Sequence, residues 1–246
     1  MTLTLSILLI LTGITGIHSI TTVDKVSVKA GASISIPCLY SSQYRNHVKY
    51  LCAGYYWPTC SYAIKTNQRQ SSGKYSISDD KTQNIFIVTI KHLADGNTHY
   101  WCAVEIDQGP DVRQYFQLFG TRGEPRVKVA QQEVTGYNGE NITINCQFTD
   151  PGKLKWCKLG RTCVTEKPGL IDGTKVSIKS NSDVFSVTMS GLRPESAGWY
   201  WCVKGDFQMP VHLTVTEKPT ATPDPVTADG KMTTVNDEPN RSESFH

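Results

Sequence analysis

The chain has 246 residues, and its 25 Lys and Arg against 22 Asp and Glu leave a net charge of only +3, with no basic block along it. A nucleic-acid partner is therefore not expected, because phosphate backbones are bound by clustered positive charge. The length suits two small domains or one large one.

Met1–Ser19 holds a largely apolar stretch from Leu5 to Ile10, then Gly13 and Gly16, then small or polar residues. That run is too short and too interrupted for a membrane span, and it reads as a secretory signal peptide occupying residues 1–19. Export implies an oxidising compartment. The eight cysteines, an even number, are then expected in disulfides rather than as thiols or zinc ligands. Paired CxxC knuckles and ligand histidines at zinc spacing are missing, so neither a metal nor another cofactor is expected.

Next comes Ile34-Ser-Ile36-Pro-Cys38, apolar at every second position, with the cysteine on the same face as the isoleucines. Phe86, Val88, Ile90 and Leu93 form a second apolar series, which leads into Tyr100-Trp101-Cys102. The chain then repeats itself. Ile142-Thr-Ile144-Asn-Cys146 matches the first segment, Phe185, Val187, Met189 and Leu192 match the second, and Tyr200-Trp201-Cys202 matches the third. Short alternating strands between Gly- and Asn-rich turns, repeated at one domain length, predict an all-β protein of two tandem V-type immunoglobulin β-sandwiches. The divisions are 20–120 and 121–216, joined by Gly-Thr-Arg-Gly-Glu-Pro at 120–125, a connection short enough to limit hinge motion. Residues 217–246 are rich in Thr and Pro and poor in large apolar groups. They are expected to form a disordered stalk or tail, since they cannot bury enough surface to offset ordering.

By analogy between the two copies, Cys38 is expected to pair with Cys102 and Cys146 with Cys202, joining strands B and F across each sandwich. Tyr100 and Tyr200 take the tyrosine-corner position two residues before the second cysteine. Cys52 with Cys60, and Cys157 with Cys163, are left over at separations that suit a staple between strands C and C′. Loop-closure entropy assigns about 4 kcal/mol to each long bridge and about 2–3 kcal/mol to each short one.

Lys49-Tyr50-Leu51-Cys52 with Cys60, and Lys155-Trp156-Cys157 with Cys163, each followed by Tyr-Trp-Cys, resemble the polymeric immunoglobulin receptor and its leukocyte mono-immunoglobulin-like receptor relatives. The resemblance spans roughly residues 22–216, and the extra C–C′ cysteine pair is its specific part. Two departures stand out. The strand-C tryptophan is Trp156 in the second copy but Leu51 in the first, so Leu51→Trp would add stability if the site kept the family's volume. The acid usually found six residues before the strand-F cysteine is Gly96 in one copy and Ser196 in the other. The usual ion pair to Lys74 or Lys175 therefore lacks its acid.

The resemblance implies an immune-receptor ectodomain, secreted or on the extracellular face of the plasma membrane, that binds a protein, immunoglobulin first. In that family the first-domain B–C loop is the main contact, which nominates Tyr44, Arg45, Asn46 and His47. Tyr56 and Trp57, within Tyr55-Tyr56-Trp57-Pro58, are ligand-anchor candidates. Three adjacent aromatics cannot all face inward, although packing onto the short bridge is the competing reading. Some leukocyte relatives read phospholipid headgroups, and Glu105, Asp107 and Asp111 of the F–G loop would be the carboxylates to hold a calcium for that purpose, although plain surface solubility is the favoured reading, since calcium needs six or more converging oxygens. A soluble decoy of a receptor is a further alternative. Asn141 and Asn240 begin N-glycosylation sequons. Catalysis is not expected: no nucleophile elbow, zincin helix or phosphate loop occurs, and His92, His99 and Asp95 fall around the turn between strands E and F.

Overall fold

A computed structural model describes residues 19–68, 73–149 and 151–219. The leader, the Asn240 sequon and the tail lie outside these residues, Ser19 and 217–219 aside. Among the described residues no helix is long and apolar enough to cross a membrane.

The first sandwich is built from β1 (Lys25–Lys29), β2 (Ile34–Leu39), β3 (Lys49–Ala53), β4 (Ser61–Lys65), β5 (Tyr75–Asp80), β6 (Ile85–Ile90), β7 (Gly96–Val104) and β8 (Val112–Thr121). One layer is β2-β6-β5; the other runs β1-β8-β7-β3-β4, with β1 parallel to β8 and the remaining pairs antiparallel. The second sandwich comprises β9 (Val127–Val129), β10 (Glu133–Tyr137), β11 (Ile142–Phe148), β12 (Leu154–Lys158), β13 (Cys163–Val164), β14 (Gly169–Ile171), β15 (Thr174–Ser180), β16 (Val184–Ser190), β17 (Gly198–Lys204) and β18 (Phe207–Thr216). Its layers are β14-β15-β16-β11-β9 and β13-β12-β17-β18, with β10 parallel to β18.

Period-two patterning decides which side chains fill each core. Ile34, Ile36, Cys38, Phe86, Val88 and Ile90 are buried in the first sandwich, as are Ile144, Cys146, Phe185, Val187 and Met189 in the second. Cys38 is bonded to Cys102, Cys146 to Cys202, Cys52 to Cys60 and Cys157 to Cys163. At the first short staple Gly54 has φ +143°, and a Cβ there would stand 3.0 Å from the Cys60 Cα, so the hairpin closes because that position has no side chain.

The two cores solve the same packing problem with opposite residue sizes. Leu51 lies across from Cys102 just as Trp156 lies across from Cys202. In the second sandwich Trp156 stacks on Tyr200 at 5.0 Å, and Val211 faces Tyr200 from β18. In the first, the corresponding ring of Tyr100 stacks instead on Phe116 at 5.5 Å, which faces it from β8. A leucine on one side of the tyrosine is thus offset by a phenylalanine on the other.

Alignment on the staple cysteines also corrects the pairing of Lys49 with Lys155. Lys49 is equivalent to Leu154, and it is fully buried, whereas Lys155 points to solvent. The cation of the second sandwich comes from the neighbouring strand. Lys204 pairs with Leu154 where Val104 pairs with Lys49. Each ammonium lies over the ring two residues past the strand-B cysteine, Lys49 over Tyr40 at 4.2 Å and Lys204 over Phe148 at 3.9 Å. In place of an ion pair to Lys175, the buried hydroxyls of Thr174 and Ser196 bond each other at 2.6 Å. Lys175 is exposed, and Asp95 pairs with Arg122 at 2.8 Å.

The sandwiches meet along β1 and β18. Gln132 accepts from the Ser35 amide and donates to its carbonyl, Gln208 accepts from the Asp24 amide, and Phe119 packs edge-on against Phe207 at 5.2 Å. A cavity of about 630 Å³ lies between the sandwiches, walled by Val28, Ile34, Pro125, Val129 and Gln132, away from the loops nominated for binding.

Four packed tyrosines give the fold a pH dependence. Burial, above all, raises the Tyr40, Tyr50, Tyr100 and Tyr200 phenols, Tyr100 to about 12; Asp79 adds to the effect on Tyr40, and Asp111 to that on Tyr50. These groups hold their protons more tightly folded than unfolded. Their stabilisation is therefore complete below the unfolded value near pH 10 and is lost as pH rises through the folded values. The melting temperature should fall steeply above about pH 10. An unchanged melting temperature between pH 9 and 12 would contradict this assignment.

Candidate functional site

The B–C loop leaves β2 and folds at once into a short 3-10 turn, Ser42–Tyr44, closed by the Tyr44, Arg45 and His47 amides donating to the Ser41, Ser42 and Tyr44 carbonyls. The Tyr44 ring turns back onto the core and meets His47 edge-on at 5.5 Å. The Nδ1 of His47 is buried without a hydrogen-bond partner. Of the four nominated residues Arg45 and Asn46 are exposed and Tyr44 and His47 half-buried; Ser42 and Gln43 are exposed beside them. Arg45 Nε donates to Asn84 Oδ1 at 3.3 Å, and Asn84 sits in the turn between β5 and β6 with φ +57°.

Beneath the loop lies a buried charge cluster. Lys49 Nζ is 3.0 Å from Asp79 Oδ2 and donates to the Arg45 carbonyl at 2.8 Å. The Tyr40 hydroxyl donates to the other Asp79 oxygen at 2.7 Å. Burial lowers the Lys49 ammonium from its usual range, against the hydrogen bond and charge of Asp79.

Tyr56 and Trp57 do not join this loop. They follow β3, whose five residues put about 17 Å, at ~3.4 Å per residue, between the loop and the hairpin. Tyr55 and Tyr56 are 56% and 69% exposed, so the hairpin does present aromatic surface. Trp57 folds back over the sheet, stacked on Tyr50 at 6.3 Å and edge-on to Trp101 at 5.6 Å, with the Arg113 guanidinium 4.6 Å above its ring. Tyr55, Tyr56, Trp57, Trp101 and Tyr115 line an open cleft of about 420 Å³. Trp101, Tyr115 and Arg113 were not nominated from the sequence, although alternation carried the signal. Tyr100, Cys102 and Phe116 point inward, so the residues between them must point out. His99 belongs to this face too: it lies within β7, not in the preceding turn, and its Nδ1 meets the Tyr115 hydroxyl.

The F–G loop carboxylates do not converge. Glu105 pairs with Lys65 at 2.9 Å, while Asp111 takes the Tyr50 hydroxyl and the Ile106 amide. Among the described residues no group of three or more His, Cys, Asp or Glu could hold a metal ion. Two of the three nominated carboxylates, Glu105 and Asp111, are thus engaged in supporting the loop, and the calcium-dependent reading of phospholipid headgroups finds no support in this geometry.

These layers and bridges define the class: the chain is all-β, with two immunoglobulin-type sandwiches in tandem. Residues 129–216 match the family described as the immunoglobulin V-set domain. The polymeric immunoglobulin receptor of Bos taurus is 28% identical over 191 residues, 70% of this chain and 24% of that protein. CMRF35-like molecule 7 of Homo sapiens is 32% identical over 108 residues, 42% of this chain and 53% of that protein. A solved structure described as the teleost fish polymeric Ig receptor ectodomain covers 82% of this chain and all of that one, at 28% identity and a TM-score of 0.40. The polymeric immunoglobulin receptors and the CMRF35-like molecules are thus this chain's homologues, and it spans about a quarter of the length of the former.

Proposed function

We propose that this chain is the ligand-binding ectodomain of an immune receptor, acting outside the cell, and that its protein ligand is immunoglobulin. Residues 20–120 form the binding domain and 121–216 the domain that supports it. The contact surface is the B–C loop, with Arg45 and Asn46 as its exposed donors and Tyr44 and His47 as the wall beneath them. Tyr56 and Trp57 belong to a separate aromatic face. The observation that carries this reading is that the loop is both exposed and braced. Its crest is open, yet its turn is closed by three backbone hydrogen bonds and underpinned by Lys49. A braced loop loses less conformational entropy on binding than a free one. Arginine and tyrosine are the side chains that anchor interfaces most often. Asn141 is a glycan acceptor on the second domain: its Oδ1 receives the Gly191 amide, and the residue is exposed.

The test is titration of the full chain over immobilised polymeric immunoglobulin. Saturable binding is expected, and its absence would overturn the ligand assignment while leaving the fold untouched.

A further inference from the structure

Lys49 is fully buried, an uncommon place for an ammonium, and nothing about the strand requires it there. The equivalent position in the second sandwich is Leu154, which fills the same place as hydrocarbon. What the ammonium does is visible in its geometry. It has three donors. One meets Asp79 Oδ2 at 3.0 Å, one the Arg45 carbonyl at 2.8 Å, and the third side faces the Tyr40 ring at 4.2 Å. Asp79 is in turn filled by the Tyr40 hydroxyl on its other oxygen. Of these partners only the Arg45 carbonyl belongs to the B–C loop, and it is the main-chain group of the exposed arginine itself. Lys204, the cation of the second sandwich, shows the contrast. It lies over the Phe148 ring, and among the described residues it forms no ion pair with a carboxylate.

We infer that Lys49 is a positioning residue: clamped by Asp79 and Tyr40, its ammonium holds the Arg45 carbonyl and so fixes the direction in which Arg45 and Asn46 leave the surface. A leucine or methionine could fill the cavity but could not hold a loop carbonyl. The buried pair is thus kept for the shape of the loop rather than for the stability of the sheet. The consequence for binding rests on the reading above that this loop is the contact surface; the tie between Lys49 and the loop does not.

Hydrogen exchange on the full chain separates the two. The double variant Lys49→Met/Asp79→Leu removes both charges together, so the core is left without an unpaired ion and the fold is retained. The Tyr44, Arg45 and His47 amides, now closed by the 3-10 turn, should exchange at least tenfold faster in this variant. The amides of β6 and β7 should stay within twofold of the unmodified protein. Loop amides that also stay within twofold would overturn the proposal. In the binding assay the same variant should lose at least fivefold in affinity for polymeric immunoglobulin, and an undiminished affinity would show that the tie does not govern recognition. If the unmodified protein binds no immunoglobulin, the proposed ligand falls, and the exchange result alone decides whether Lys49 positions the loop.

Discussion

Asp79→Leu, made alone, is expected to destabilise the first domain by about 3–5 kcal/mol, because it leaves the Lys49 ammonium buried without its counter-charge. The Tyr40 hydroxyl loses its acceptor in the same step, adding an unsatisfied polar group. The double variant Lys49→Met/Asp79→Leu should recover most of that loss. It replaces the pair by apolar groups of similar volume, a change often neutral or favourable in protein interiors. Denaturant titration of the full chain, read with a probe in each domain, distinguishes the cases. A single variant costing less than about 1 kcal/mol would mean that water reaches Lys49 and that the charge is not truly buried.

The second large effect concerns the exchange of size between the two cores. Leu51→Trp should destabilise the first domain by about 1–3 kcal/mol, since the ring would enter a site already closed by neighbours that include Phe116. Phe116→Val should also destabilise, by leaving a cavity beside Tyr100. Combined, the two changes recreate the Trp156–Val211 arrangement of the second domain. The double variant should therefore be more stable than the sum of the single losses allows, with a coupling of about 0.5–3 kcal/mol. A gain in stability from Leu51→Trp alone would show that the tryptophan site is still vacant, and additive losses would show that Phe116 is not what fills it.

How much of this was legible in the sequence follows from which interactions are periodic. Strands β2, β6, β11 and β16 announced themselves because their apolar residues alternate toward the core, whereas β7 and β17 showed through the repeated Tyr-Trp-Cys, β17 being buried on both faces. The exchange between Leu51 and Phe116 was not legible. It depends on which residues of β3 and β8 meet the same tyrosine from either side, and register across a sheet is not written along one strand. The false match of Lys49 with Lys155 has the same origin. Both lysines stand close before a staple cysteine, but one residue of offset reverses the face. The aromatic face was half visible. Tyr55–Trp57 stood out as a cluster, whereas Trp101, Tyr115 and His99 belong to it only once β7 and β8 lie side by side. The F–G carboxylates were a weak signal because the sequence does not show the partners, Lys65, Tyr50 and the Ile106 amide, that fold against Glu105 and Asp111.

For the B–C loop, the sequence supplied the residues and the resemblance supplied the role. The structure adds the brace. Arg45 leaves from a turn held at both ends, over a buried ammonium, and about 17 Å of strand, at ~3.4 Å per residue, separates it from the aromatic hairpin. That separation makes the two surfaces independently testable.

The most direct measurement is therefore the affinity of the Arg45→Ala variant for polymeric immunoglobulin, beside that of the unmodified protein. Arginine offers a planar, multi-donor fork that no neighbouring side chain of the loop can replace. Its loss should weaken binding by at least about fivefold, or about 1 kcal/mol. Truncating Tyr56 and Trp57 to alanine should change binding by less. Affinity unchanged by Arg45→Ala, but abolished by truncation of the hairpin aromatics, would contradict the account and move the contact to the aromatic face of the sheet.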